Sequence, residues 1–205
     1  DVNYLRVSVT DRCDFRCTYC MAEDMQFLPK KDILSLEELE TVCRVFMKLG
    51  TRKIRLTGGE PLVRKGIMQV INNLGKEVGN SLDELTITTN GSQLETKAED
   101  LYNAGVRRIN VSLDHLDPLK FKEITRWGDL EKVKIGLKKA REVGLKIKIN
   151  TVAISEFNQS HLADILKWCG DESFDMTIIE VMPMGDIGGD TRYGQYLPLS
   201  QVRME

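Results

Sequence analysis

The sequence predicts an α/β fold, a partial (βα)6 barrel of parallel strands with outer helices. Three observations lead there. Short β-branched or apolar runs alternate with longer runs of helical period, the pattern of parallel strands joined by crossover helices. Six such units fit within the 205 residues. One parity of nearly every strand is polar, whereas a sheet covered by helices on both faces should be apolar on both. A polar face on strands joined by helices suggests a curved sheet with a wet or ligand-filled concave side, unlike the packed interior of a complete eight-stranded barrel.

The expected strands are Tyr4 to Val9, Lys53 to Thr57, Glu84 to Thr89, Arg108 to Leu113, Lys146 to Val152 and Met176 to Met182. Alternate residues give the polar side: Arg6 and Ser8, Lys53 and Arg55, Thr86 and Thr88, Asn110 and Ser112, Lys148 and Asn150, and Glu180 beside Met182. The opposite side carries Leu5, Val7, Ile54, Leu56, Ile109, Val111, Ile147 and Ile149. Ser35 with Glu38 has the spacing of a capping box, so a helix should open there and run to about Leu49, with Gly50 closing it. Further helices are expected at about Gly66 to Val78, Glu95 to Ala104, Pro118 to Ile124, Leu130 to Val143 and Ser160 to Cys169. Gly185 to Pro198 reads as a mobile loop, and Leu199 onward as the first turns of another helix that continues beyond Glu205.

Composition narrows the function. With 29 Lys+Arg against 31 Asp+Glu there is no broad positive field for a nucleic-acid backbone, so a small substrate is favoured. No run approaches the ~20 apolar residues of a membrane span. The start, Asp1-Val2-Asn3-Tyr4, has no signal-peptide character, and the expectation is one cytoplasmic domain over residues 1–205. Five cysteines without a secretory signal argue for metal or catalytic use rather than a disulfide framework. Cys43 falls among Leu36, Leu39, Val42 and Phe46, and Cys169 follows Leu162, Ile165 and Leu166, so both are expected in the core.

Cys13, Cys17 and Cys20 follow the first strand directly, at the end where ligand sites gather in such folds. Three thiolates ligate three irons of a cubane cluster and leave the fourth iron open. An open iron can chelate the amino and carboxylate groups of S-adenosylmethionine (SAM) and pass an electron into the sulfonium. Structural zinc would need four closed ligands, and outside the triplet the chain offers only His115, His161 and two core-like cysteines. A plain iron-sulfur electron carrier would complete its cluster with a fourth thiolate. Gly58-Gly59-Glu60-Pro61 follows the second strand, where small residues admit a ligand to backbone carbonyls and a carboxylate can meet an ammonium.

The cysteine triplet with Tyr19 before its last member, together with Gly58 to Pro61, resembles the signature of the radical SAM superfamily. Within it, Leu5 to Met21, Ile54 to Leu62, Thr88 to Gly91, Arg107 to Asp114 and Ile179 to Pro183 closely resemble the molybdenum-cofactor biosynthesis protein A family, the GTP 3',8-cyclases. The resemblance implies a lyase that converts GTP to (8S)-3',8-cyclo-7,8-dihydroguanosine 5'-triphosphate through a 5'-deoxyadenosyl radical. It implies a 4Fe-4S cluster on Cys13, Cys17 and Cys20, and SAM contacts from Tyr19, Gly59, Ser112 and Met182, with Tyr19 lying against the adenine. It likewise implies GTP contacts from Arg6, Arg55, Thr88 and Lys148. A reductant or electron-donor protein would be a partner, and a homodimer is compatible. Many family members carry a basic residue where this chain has Thr177, and the family has a second 4Fe-4S cluster in a C-terminal region, expected beyond Glu205. A radical SAM enzyme acting on a different phosphorylated substrate would use the same cations.

Overall fold

A computed structural model of the chain describes residues 2–182 and 192–202. β1 (Tyr4–Ser8), β2 (Lys53–Thr57), β3 (Glu84–Thr89), β4 (Arg108–Ser112), β5 (Lys146–Ala153) and β6 (Asp175–Glu180) form one sheet in chain order. The registers of β1 with β2, β2 with β3 and β5 with β6 are parallel. A doubly wound sheet reverses its strand order at a switch point, and this one never does, as expected for the strands of a barrel-type fold. The helices between strands are α1 (Leu36–Lys48), α2 (Ile67–Gly75), α3 (Leu94–Asn103), α4 (Pro118–Thr125), α5 (Leu130–Glu142) and α6 (Leu162–Asp171), followed by the short α7 (Arg192–Gln195) and α8 (Leu199–Val202).

Local chemistry explains the helix starts. At α1 the Ser35 hydroxyl accepts from the Glu38 amide at 3.1 Å and the Glu38 carboxylate accepts from the Ser35 amide at 2.7 Å, the reciprocal cap read from the sequence. Before α4 the Asp117 carboxylate accepts from the Leu119 and Lys120 amides, and Pro118 takes the first helical position, where no amide is needed. Gly50 has φ 103°, which lets the chain leave α1 in the left-handed region.

Two compact units divide the chain. The first comprises Asp1–Asp14, Phe27–Asn110 and Lys132–Ile147. Its interior is fully buried: Ile54 and Leu56 from β2, Leu85 and Ile87 from β3, Ile71 and Leu74 from α2, and Leu94 and Leu101 from α3. The second comprises Phe15–Gln26, Val111–Glu131 and Lys148–Glu205. There Ala153, Leu162 and Leu197 form one buried cluster with Ile178 and Leu199 against it, and Ile124, Ile154 and Val181 form another.

The polar parity holds along β5, where Lys146, Lys148, Asn150 and Val152 are more exposed and Ile147, Ile149, Thr151 and Ala153 are buried. Cys43 and Cys169 are core residues, as expected. Val42 is not: α1 buries Leu39, Cys43 and Met47, spaced four apart, and this stripe leaves Val42 37% exposed on the flank. The stretch read as a loop from Gly185 lies outside the described residues as far as 191. Its later part is ordered by α7 and by a bridge from Tyr196 to Ile154, so the expectation of a loop through Pro198 is corrected there. The helix expected from Leu199 is α8.

Two glycines separate packing from propensity. A Cβ on Gly75, at the end of α2, would lie 1.6 Å from the Ala104 carbonyl oxygen, whereas one on Gly170 within α6 meets nothing within 4 Å. Gly75→Ala should therefore destabilise the protein by about 1–3 kcal/mol or more in urea unfolding. Gly170→Ala should be neutral or stabilising by up to about 1 kcal/mol.

Candidate active site

In the first unit the loop after β1 is held by the turn after β2. The Gly59 amide donates to the Thr10 carbonyl at 2.7 Å and the Glu60 amide to the Arg12 carbonyl at 2.8 Å. The approach is so close that a Cβ on Gly58 would lie 2.3 Å from the Thr10 oxygen and one on Gly59 2.2 Å from the Arg12 oxygen. Gly58 also sits at φ 148°. These glycines are therefore required by the loop that leads into Cys13, whatever ligand they also admit. Arg64 donates to the Val9 and Leu34 carbonyls and braces the same loop from outside.

The Glu60 carboxylate, read from the sequence as able to meet an ammonium, turns into the interior. It is wholly buried and accepts from the Leu62 amide at 3.0 Å, the Thr89 hydroxyl at 2.8 Å and the Asn90 amide at 2.6 Å. The Asn90 side chain then donates to the Asp14 carboxylate at 2.7 Å and lies 3.7 Å from the Cys13 sulfur. The Ser92 hydroxyl adds a second bond to Asp14 at 2.6 Å. Sequence reasoning missed Asn90 and Asp14 as organisers, although the Thr88 to Gly91 run was singled out and each is a polar residue beside a motif.

On the polar side of the same unit Arg6 stands directly opposite Arg55 in the β1–β2 register, and Arg55 opposes Thr86 in β3. Thr88 is two residues on, with the parity of Thr86. Arg55 Nε is buried with no hydrogen-bond partner, and its guanidinium lies 5.4 Å from the Tyr4 ring centroid. Like charges facing across a sheet repel, and neither arginine has a carboxylate partner among the described residues.

In the second unit, the chain at Arg16 to Thr18 is tied to the end of α4. The Arg16 and Thr18 amides donate to the Thr125 and Ile124 carbonyls at 3.0 and 2.9 Å, satisfying groups that the end of α4 leaves open. The Cys20 and Met21 amides return to the Cys17 carbonyl and close a turn between the two cysteines. Arg126, at φ 60°, directs its guanidinium to the Arg16 and Met21 carbonyls, both at 3.2 Å. The Tyr19 hydroxyl donates to Asp114 at 2.8 Å. Of the other expected residues in this unit, Ser112 ends β4 half-buried, Lys148 is half-buried opposite Asp175, and Met182 is 53% exposed. Asp114 and Glu180 do not pair with the cations: Asp114 takes Tyr19 and the Val152 amide, and Glu180 accepts from the Leu199 amide at 2.8 Å.

None of the five cysteines is in a disulfide, and Cys13, Cys17 and Cys20 are partly or fully exposed. Burial pushes the Cys43 and Cys169 thiols up to about 11, which disfavours the thiolate a metal requires. His115 Nδ1 accepts from the Asp117 amide, so that histidine serves the start of α4. Among the described residues no three His, Cys, Asp or Glu side chains stand close enough to hold a metal as placed. The donor chemistry of the triplet still fits an iron-sulfur cluster, with three accessible thiols and no further cysteine or histidine competing.

The chain matches the radical SAM superfamily over residues 7–169 and belongs to it. That superfamily works with SAM and a 4Fe-4S cluster. The chain is 61% identical over 204 residues to the GTP 3',8-cyclase of Rhizobium etli (strain CIAT 652), covering 100% of this chain and 58% of that protein. It is 60% identical over 205 residues to the GTP 3',8-cyclase of Brucella ovis, covering 59% of that protein. It thus spans under two thirds of the length of these curated relatives. Among solved structures it is similar to Streptococcus suis SuiB bound to S-adenosylmethionine, with TM-score 0.80 and 19% identity over 99% of this chain and 45% of that one. It is also similar to anSMEcpe with bound AdoMet, with TM-score 0.68 and 19% identity over 89% of this chain and 52% of that one. These likenesses carry the fold, the partial barrel of the superfamily.

Burial pushes the Glu60 carboxyl up to about 7 from an ordinary 4.5, its three hydrogen bonds opposing the shift. A folded-state value above the unfolded one means that the folded protein holds the proton more tightly. The contribution of Glu60 is therefore complete below about 4.5 and is lost as pH rises through about 7. Urea midpoints at about pH 5 and about pH 7.5 should fall with pH in the wild type and fall less in Glu60→Gln, which cannot titrate.

Proposed function

We propose that the chain is the SAM-cleaving domain of a GTP 3',8-cyclase that acts in molybdenum-cofactor biosynthesis in the cytoplasm. The observation that carries the substrate reading is the Arg6–Arg55 pair, placed side by side in register with Arg55 Nε buried and unpartnered. Arg6 is exposed and Arg55 half-buried, so the pair is open to an anion that would relieve the repulsion, and a triphosphate supplies one in the bidentate geometry that arginine prefers. The identity to cyclases named for GTP supports the same reading.

In this reading Cys13, Cys17 and Cys20 hold the 4Fe-4S cluster. Tyr19, Gly59, Ser112 and Met182 line the SAM site, while Arg6, Arg55, Thr88 and Lys148 hold GTP. When bound there, the cluster would supply the electron for reductive cleavage of SAM, the chemistry that starts the cyclisation of GTP in this reading. The chain's own part is placement. The arginines anchor the phosphates, and Gly59 keeps the turn after β2 free of any side chain. A second cluster on a further C-terminal region, a reductant protein and a homodimer belong to the same reading of the whole protein.

Three measurements test it. Cys13→Ala, Cys17→Ala or Cys20→Ala should each abolish iron-sulfur absorbance after anaerobic reconstitution, while Cys43→Ala and Cys169→Ala retain it; the reverse pattern would refute the ligand set. Arg55→Ala should weaken GTP binding by roughly 1.5–3 kcal/mol in calorimetry, the size of a charge-assisted contact. With reductant, SAM and GTP, the full-length protein should yield 5'-deoxyadenosine and the cyclic nucleotide. 5'-Deoxyadenosine formed on a different phosphorylated compound, with no product from GTP, would favour the other radical SAM reading.

A further inference from the structure

We propose that Asp114 is a positioning residue for the cysteine loop, its carboxylate fixing the turn between Cys17 and Cys20 through the Tyr19 hydroxyl. The proposal rests on the reading that these cysteines bind the cluster. The residues that carry it all lie in the second unit.

Tyr19 lies between the two cysteines and is the handle by which their turn is fastened to the interior. Its ring packs against the buried cluster of Ile124, Ile154 and Val181. Its hydroxyl ends on Asp114 Oδ2 at 2.8 Å. Asp114 is itself rigidly held. Oδ1 accepts from the Val152 amide at 2.7 Å, and the Asp114 carbonyl accepts from the Asn158 side chain at 2.9 Å. Asn158 is wholly buried and also holds the Val152 carbonyl and the Ile154 amide, which ties the acceptor to the end of β5. The path from β5 to the cysteine turn thus runs through side-chain hydrogen bonds of ordinary length with no exposed member.

The residue choice is informative. Asp114 is 3% exposed and has no cation beside it among the described residues. A carboxylate in such a place costs stability, and its two neutral donors return only part of that. Packing alone would favour an apolar side chain. A carboxylate does what an apolar side chain cannot, since it presents two acceptor oxygens to two donors on different elements, the Val152 amide and the Tyr19 hydroxyl. Asparagine could keep the first bond and offer its Nδ2 to the tyrosine oxygen as a weaker, neutral bond. Alanine keeps neither. Other fastenings of the loop, the Arg16 and Thr18 amides on α4 and the Arg126 guanidinium on the Arg16 and Met21 carbonyls, grip its backbone. Tyr19 supplies the side-chain fastening from within the turn, beside the Thr18 amide, and so it bears on the separation and direction of the two thiols.

The test uses Tyr19→Phe, Asp114→Asn and Asp114→Ala in the full chain, with two readouts. In the iron-free protein, hydrogen exchange of the Thr18–Met21 amides should be about tenfold faster in Tyr19→Phe and Asp114→Ala, and intermediate in Asp114→Asn. Exchange in β3 should not change. In the reconstituted protein, the midpoint potential and the electron paramagnetic resonance signature of the reduced cluster should shift in the same order, at unchanged iron content. Tyr19→Phe removes only a hydroxyl and remains decisive if Asp114→Ala fails to fold. Exchange in Tyr19→Phe within twofold of wild type, or a cluster signature identical to wild type, overturns the proposal. If the wild-type chain takes up no iron, the reading of the cysteines fails, while the exchange result still decides whether Asp114 orders the turn.

Discussion

Glu60 brings its carboxylate into the protein interior with no ion-pair partner among the described residues and answers it with three donors from the Leu62 amide, the Thr89 hydroxyl and the Asn90 amide. Much of the first unit's loop before Cys13 depends on this. The same residue's amide reaches the Arg12 carbonyl, so a single position joins the ends of β2 and β3 to the loop after β1. Asn90, fixed by Glu60 at its backbone, extends its side chain to Asp14 and to the neighbourhood of the Cys13 sulfur. Burial raises the Glu60 carboxyl and the fixed donors answer only part of that cost.

The second unit meets the same problem in another way. Cys17 and Cys20 sit on a turn with little regular structure of its own, and such a turn holds one shape only if its backbone groups find partners elsewhere. The last carbonyls of α4 supply two, Arg126 supplies two more, and Asp114 supplies the side-chain anchor. Arg126 adopts a backbone conformation that a side chain rarely takes, at φ 60°, and the return is a guanidinium aimed back at the loop. Both halves of the cysteine triplet are therefore held by polar groups buried at some cost in stability, the pattern of a site in which placement matters more than stability.

The arginine pair adds a third such cost. Arg6 and Arg55 face each other across adjacent strands with no carboxylate partner among the described residues, and only the Tyr4 ring lies against the Arg55 guanidinium.

Periodicity, capping chemistry and the short motifs were enough, in the sequence alone, to give six strands with their order of appearance, the capping box at Ser35, the polar side carrying Arg6, Arg55 and Lys148, and the triplet Cys13, Cys17 and Cys20. These are local signals: a strand's parity, a helix cap and a ligand spacing are each written within a few residues. The rotation of α1 that exposes Val42 was not legible there, because four residues around Cys43 fit a buried stripe nearly as well as the Leu39, Cys43 and Met47 that are in fact covered. Nor was the inward turn of Glu60, the clamp on Asn90, or the bond from Tyr19 to Asp114. Those partners are 29, 30 and 95 residues apart, and a polar residue's sequence neighbours do not say whether its donors will come from solvent, ligand or a distant strand. Only the tertiary structure brings the donors to the acceptor, and so only it decides which polar side chains serve the ligand and which hold the chain that serves it.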